Sequence, residues 1–375
     1  MRVQITNGMF MALIINMVYA KAIGLTQGTM AREVNNDIWI STIMGGIQGA
    51  ILMLLVVVII NRMPEGDLIK QGEKLIGTWF SKFLGLMFFV FFTAAFITVM
   101  ATFVYHLKDY FLHEAPTWIF VVVAIVVGGY AVFFGVEVIA RMALIGVFSV
   151  LSLNILLLLG AIGNFDIREL LPVFDSGVIR TAWASRHFTA DWTMTTMMAA
   201  IILPLVKDVK TWPRSGTVGV LYGLGFVVMW PIVEVGVLSA EVTAQYIVSC
   251  MQMARSAEIG IYIHRYEMIM VAFFALSILT QIMMSLYCAS ISLQRVFNLQ
   301  DYRVLVIPVC LVFGGISYWY VSDHARAIGF IEREWVGIGL AIAIGVPLFM
   351  WLIGFVFKDK LQKIKAETKA HPGDY

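Results

Sequence analysis

The sequence predicts an all-α polytopic membrane protein of ten transmembrane helices, arranged as a pair of five-helix inverted repeats. Three observations carry this. The chain of 375 residues is 60% hydrophobic and only 13% charged, with mean hydropathy +0.87, whereas a soluble domain sits nearer half apolar and a quarter charged. Apolar stretches of about 20 residues, enough to cross a ~30 Å hydrocarbon core, recur along the whole length. Two of them, at matching places in the two halves, carry polar and glycine interruptions, the sign of a transporter with a site near the midplane.

Span 1 is expected over 7–30, interrupted near 20–28, where "KAIGLTQG" follows the apolar run Met9–Ala20. Arg2, that run and Ala20-Lys21-Ala22 imitate a signal peptide. The weakly charged start and the polar, glycine-bearing continuation favour an interrupted helix instead. Span 2 covers 38–60, and its Gly45 and Gly49 form a GxxxG for close packing. Between 64 and 81, "PEGDLIKQGEKLIGTWFS" alternates charge with large apolar residues and reads as an amphipathic helix lying on the membrane. Spans 3, 4 and 5 cover 83–106, 117–137 and 141–163. Span 6, at 190–206, begins raggedly with "ADWTMTT" and corresponds to span 1 in the second half. Spans 7 to 10 cover 216–238, 264–294, 303–320 and 335–357, and 164–189 and 239–263 are longer connections. The chain thus divides into one transmembrane domain, 1–357, with repeats at 7–163 and 190–357, and a polar tail, 358–375.

Orientation follows from lysine and arginine placement. Arg62, Lys70, Lys74, Lys82, Lys207, Lys210, Arg214 and the tail lysines share the N-terminal side, which holds most of the 26 basic residues. Both termini are therefore expected in the cytoplasm. No G-x-S-x-G, nucleotide-binding glycine loop or paired-histidine motif occurs in a suitable context. Cys250, Cys288 and Cys310 lack metal or disulfide spacing and read as packing residues. Neither an enzyme nor a metal or cofactor is expected.

The interruption of span 1 marks the candidate site. Backbone groups freed near Ala22, Gly24 and Gly28 are tolerated in a membrane only where they line a cavity or are buried in protein, and they suit the charged ends of a small ligand. Packing glycines are the simpler alternative. Lys21 acts as a built-in cation replacing a coupling ion, as a contact for an anionic ligand group, or as a snorkelling side chain. Thr98, Thr102 and Tyr105 share one face of span 3, and Ser277, Gln281, Ser285, Cys288 and Ser292 one face of span 8, where interhelical hydrogen bonding is the expected role. Trp192, Thr193 and Thr196 are the candidate contacts from span 6, with an interfacial anchor as the other role for Trp192. Glu137 and Arg141, four apart, are expected to pair at the cytoplasmic end of span 4 as a structural or hinge element.

Several collinear stretches resemble the spore-germination permease family, the B-subunits of nutrient germinant receptors within the amino acid–polyamine–organocation superfamily. They are "GTMAREVNNDIW" (28–39), "PEGDLIKQGEKLIGTWFSKFLGL" (64–86), "GVEVIARMALIGV" (135–147) and "ELLPVFDSGVIRTAW" (169–183). The resemblance implies the LeuT-like ten-helix fold and residence in the inner spore membrane. It implies a complex with a membrane A-subunit and a lipoprotein C-subunit, and a cavity lined by span 3, which draws in Thr98 and Thr102. The function it implies is a subunit that binds a small nutrient, often an amino acid, at spans 1 and 6 and signals germination to its partners. A proton-coupled amino acid transporter of the same superfamily is the alternative. The chain departs from the family at Lys21, where relatives carry small or hydroxyl residues, and at Trp192-Thr193-Met194, where they often carry a Phe-Gly-Glu-like break.

Overall fold

Residues 12–28 of the first helix are buried on every side, the mark of a helix at the centre of a bundle. The computed structural model describes residues 5–63, 66–259, 263–264 and 267–363. α1 (Asn7–Lys21) passes through a π turn (Ala22–Thr26) into α2 (Gln27–Val34). A 3-10 turn then leads to α3 (Ile38–Arg62), the short α4 (Leu68–Leu75), α5 (Thr78–Lys108), α6 (Thr117–Phe134) and α7 (Val136–Ala161). The second half runs through α8 (Val178–Ala184), α9 (Arg186–Ile202), α10 (Trp212–Leu238), α11 (Ala240–Gln245) and α12 (Ser249–Ser256). A two-residue antiparallel pair, β1 (Glu258–Ile259) with β2 (Ile263–His264), precedes α13 (Glu267–Phe297). α14 (Val306–Val321), α15 (His324–Gly329), a second π turn (Phe330–Glu334) and α16 (Trp335–Val356) complete the described chain.

Among the described residues, nine helical runs are long and apolar enough to cross a membrane, the first of them continuous from Asn7 to Arg62. Asn35, with φ 49°, breaks the direction of that run. α1 packs against α7, α9, α10 and α13, whereas α3 packs on α9 and α10 and α5 on α13. The close approach of α3 to α9 rests on two glycines. A Cβ at Gly45 would lie 2.6 Å from the Phe188 Cβ, and one at Gly49 2.5 Å from the Trp192 ring, so the expected close packing is present. α6 instead exposes Val122, Val126, Tyr130 and Phe133 along its length, as a rim helix facing lipid does.

Four expectations need correction. Span 1 is not unwound. Its interruption is one π turn, in which the hydrogen-bond ladder continues at wider spacing. Span 6 has no break: α9 is helical from Arg186 to Ile202, so Asp191, Trp192, Thr193 and Thr196 lie inside a helix that ends only at the Pro204 turn. Threonine runs lower helix propensity only weakly, and tertiary packing overrides them. The amphipathic stretch is shorter than expected. α4 starts at its Asp67 cap and stops before Gly77, whose φ of 128° turns the chain, so Trp79 belongs to α5. Residues 64–65 and the end of the tail, 364–375, lie outside the described residues. Finally, Glu137 and Arg141 do pair, at 2.5 Å, but on the first turns of α7, because Gly135 at φ 98° ends the preceding helix.

Candidate functional site

Lys21 ends α1 buried, with its ammonium 1% exposed at residue level and paired with the Asp191 carboxylate of α9. Snorkelling is thereby excluded. The π turn explains the arrangement. In an α-helix, residues five apart are about 140° apart around the axis; the wider i→i+5 bonding of a π turn brings them towards one face. Lys21 Nζ accordingly donates to Thr26 Oγ1 at 2.9 Å, and the Thr26 hydroxyl donates to Asp191 Oδ2 at 2.6 Å. The indole N–H of Trp335, the residue that follows the second π turn, donates to Asp191 Oδ1 at 3.3 Å. A dry ion pair holds only when its other hydrogen-bonding groups find partners, and here two further segments supply them, the π turn through Thr26 and α16 through Trp335.

The other predicted site residues are distributed around this pair. Ala22 and Gly24 lie in the π turn, buried. A Cβ at Gly24 would meet His106 Cε1 and Thr102 Cγ2, both at 2.7 Å, and one at Gly28 would meet the Tyr246 carbonyl oxygen at 2.3 Å. Both glycines are therefore close-approach positions. Thr98 and Thr102 are buried on α5, but their hydroxyls donate to the Ala95 and Thr98 carbonyls of their own helix. Thr193 and Thr196 likewise donate to Ala190 and Thr193 carbonyls. Trp192 is fully buried between Gly49 and Gly223, away from any interface, and its indole N–H has no hydrogen-bond partner among the described residues. Two residues of the polar face of α13 make the expected interhelical bonds: Ser277 Oγ and Gln281 Nε2 both donate to the Asn16 carbonyl, at 3.0 and 2.9 Å, whereas Ser292 Oγ donates to the Cys288 carbonyl of its own helix and Ser285 Oγ has no partner among the described residues.

Sequence reasoning passed over a second polar cluster one turn further along. Glu234 of α10 is fully buried and accepts from Ser249 Oγ at 2.7 Å. The Gln27 amide lies 3.1 and 3.0 Å from its two carboxyl oxygens. Next to Ser249, Cys250 Sγ sits 3.4 Å from His106 Nε2, while His106 Nδ1 donates to the Thr102 carbonyl at 2.7 Å. That pair of contacts fixes the neutral tautomer, since Nδ1 carries the hydrogen and Nε2 accepts from the thiol. Burial pushes the Cys250 thiol well above its ordinary range, so it stays protonated. The available signal was a lone acidic residue in an apolar run, "WPIVEVGVL" (230–238), which by itself marks a functional candidate.

The two ends of the bundle differ. Where α1 begins, a cavity of about 980 Å³ is lined by Lys70, Lys74, Lys207 and Arg295 together with Asp67 and Asp208. At the opposite end, Arg32 of α2 pairs with Glu332 of the second π turn at 2.7 Å, and Glu33 pairs with Arg186 at 2.7 Å and His187 at 3.1 Å. None of Lys21, Asp191 or Glu234 lines the cavity.

Comparison with known proteins places this arrangement. The family model described as spore germination protein matches residues 4–324. Among curated relatives, spore germination protein YndE of Bacillus subtilis (strain 168) is 23% identical over 326 residues, 85% of this chain and 86% of that protein. Spore germination protein KB of the same organism is 22% identical over 354 residues, 92% of each chain, and GerQB of Bacillus cereus 21% over 325 residues, 86% and 88%. Among solved structures, MhsT in complex with L-phenylalanine aligns with TM-score 0.65 and 14% identity over 96% of this chain and 97% of that one. Mhp1, a nucleobase-cation-symport-1 family transporter in a closed conformation with bromovinylhydantoin bound, aligns with TM-score 0.60 and 14% identity over 91% and 76%. The fold is therefore that of the LeuT-like transporters.

Proposed function

We propose, from the premise that this chain belongs to the spore germination protein family, that it is a proton-coupled permease for a small zwitterionic nutrient, an amino acid. The nutrient binds between the first π turn and α9. The buried Lys21–Asp191 pair carries this reading. An α-amino acid presents one carboxylate and one ammonium on a single carbon. Inserted between Lys21 and Asp191, it pairs its carboxylate with the lysine and its ammonium with the aspartate, so neither buried charge is left uncompensated. An anion or a cation alone would strand one of the two, at a cost of several kcal/mol. The indole N–H of Trp192, next to Asp191 in sequence, has no hydrogen-bond partner among the described residues and is available to a ligand in this reading, while Gly24 and Gly28 let the first helix pack directly on His106, Thr102 and Tyr246 beside Ala22. In this reading Thr98, Thr102, Thr193 and Thr196, whose hydroxyls are bonded within their own helices, offer the ligand only their methyl groups.

Several finer points belong to the same proposal. The run Asn7–Arg62 comprises 56 residues, about 84 Å of helix at 1.5 Å per residue, against a hydrocarbon core of ~30 Å. It crosses twice, turning at Asn35, which gives ten spans in two repeats of five. With both termini cytoplasmic, the 980 Å³ cavity opens inward, and the Arg32–Glu332 and Glu33–Arg186 pairs seal the outer end. The membrane is the inner spore membrane.

A second reading is favoured by the germination names of the curated relatives. The same binding step then shifts the bundle between two packings without net transport, and a membrane A-subunit and a lipoprotein C-subunit read that shift. The ligand must favour one packing for either reading to work. Purified protein in liposomes separates them. Uptake of a labelled amino acid that follows an imposed pH gradient supports the permease. Saturable binding without flux supports the receptor subunit. Absence of both, across a panel of amino acids, refutes the site.

A further inference from the structure

The Glu234 cluster is not used by the binding step just described, yet its construction is specific. Its carboxyl group is fully buried, and among the described residues no ion pair involves it. Its partners are the Ser249 hydroxyl at 2.7 Å and the Gln27 amide at 3.0 and 3.1 Å, both neutral. A carboxylate removed from water without a cation is costly, and protonation relieves that cost. Gln27 suits both states. Its NH2 donates to a carboxylate, and with the amide turned over its carbonyl accepts the O–H of a carboxylic acid.

We infer that Glu234 is a proton-binding site, and that Gln27 transmits its state to the nutrient site. The transmission path is one peptide bond long. Gln27 follows Thr26, whose hydroxyl bridges Lys21 and Asp191. A turn of the Gln27 side chain at the start of α2 moves the end of the π turn that places that hydroxyl. Glu234 lies near the far end of α10, and Gln27 begins α2, which leads to the Arg32–Glu332 seal. A proton arriving through that seal reaches Glu234 before it reaches Asp191.

Among the described residues, the surroundings leave no other group in a position to take this role. α12 presents Cys250, already bonded to neutral His106 of α5, and Arg255, which pairs with Glu267. From the first helix come Tyr19, bonded to Trp230, and Lys21, committed to Asp191. Arg32 and Glu33 of α2 are held in the outer ion pairs. In the 3-10 turn before α3, Asp37 accepts from the Phe174 and Ser176 amides and the Thr181 hydroxyl. Glu241 of α11 and Arg168 and Glu169 of the turn beside α10 are exposed, and Glu137 and Arg141 of α7 pair with each other at the opposite end of that helix.

This deepens the permease reading and rests on it for the coupling. The protonation itself is tested in protein that transports nothing. Infrared difference spectra of the full chain in nanodiscs, recorded between acid and alkaline pH without nutrient, report the C=O stretch of a protonated, water-shielded carboxylic acid. We expect one such band that titrates away with rising pH and is missing in Glu234→Gln. Ser249→Ala, which removes a donor to the charged form, moves the midpoint upward by about one pH unit. A band that is absent at every pH, that survives in Glu234→Gln, or whose midpoint ignores Ser249→Ala overturns the inference. If the band behaves as expected and no pH-driven flux occurs, the proton site stands and the permease reading fails.

Discussion

Replacing Lys21 by methionine isolates the central interaction of the candidate site. The change keeps most of the side-chain volume and removes the charge. Asp191, fully buried, then retains only the Thr26 hydroxyl at 2.6 Å and the Trp335 indole at 3.3 Å. Two hydrogen bonds from neutral donors to a carboxylate contribute about 1.5–3 kcal/mol each, and they leave its charge without a countercharge. Breaking a buried pair from one side costs about 3–5 kcal/mol. Removing both charges, with Lys21→Met and Asp191→Leu together, strands neither partner, and such replacements range from neutral to about 1–4 kcal/mol stabilising. The two single variants should therefore each unfold earlier than the parent, while the double variant recovers most or all of the loss. Thermal unfolding of detergent-purified protein across the four members of the cycle gives the coupling energy directly. We expect at least about 3 kcal/mol of coupling. Additive losses, with the double variant as unstable as the sum of the singles, would falsify a tightly paired Lys21–Asp191.

Three further outcomes follow from the same geometry. Gly28→Ala places a methyl 2.3 Å from the Tyr246 carbonyl oxygen, a backbone atom that cannot rotate aside; it should cost about 1–3 kcal/mol, and a melting temperature equal to the parent's would mean α2 does not sit this close. Thr98→Val and Thr102→Val remove hydroxyls that bond only their own helix, so nutrient affinity in a binding assay should stay within about threefold; a tenfold loss would show that these hydroxyls touch the ligand. The Arg32–Glu332 pair is 38% and 30% exposed at the side chains and contributes about 1 kcal/mol or less to stability, so Glu332→Gln should leave unfolding nearly unchanged. It should nonetheless raise the labelling rate of a cysteine introduced at Thr29, whose hydroxyl also bonds Glu332 at 3.3 Å; an unchanged rate would remove that pair from the outer seal.

Much of the fold was legible because membrane spans are written in composition. The apolar runs, the amphipathic α4 and the close glycines of α3 all follow from residue type and spacing. The boundaries were less so. α9 starts four residues earlier than its apolar run, because Arg186 and His187 at its start are held by Glu33, a contact from a distant part of the chain. The polar residues of that helix looked like a break, yet the Thr193, Thr195 and Thr196 hydroxyls fold back onto their own helix, Thr189 reaches Gln48 of α3, and Asp191 is held by Lys21, Thr26 and Trp335. Polarity inside a span has two possible causes, an irregular backbone or a partner elsewhere, and a single sequence does not tell them apart.

The site shows the same ambiguity from the other side. "KAIGLTQG" carries the residues of an unwound helix, and the chain uses them for a π turn. Unwinding would present bare backbone groups to a ligand, whereas a π turn keeps them bonded and presents side chains instead. That difference changes what Lys21 is for. With the backbone groups occupied, the charges that meet a zwitterion must come from side chains, one of each sign, and the π turn sets Lys21 and Thr26 together against Asp191. The second π turn, Phe330–Glu334, does the matching work on the far side: Glu332 within it holds Arg32, and Trp335 directly after it holds Asp191. Both interruptions of regular helix thus converge on one carboxylate, so in the binding mode proposed above a ligand that draws Asp191 away from Lys21 would act on both turns at once.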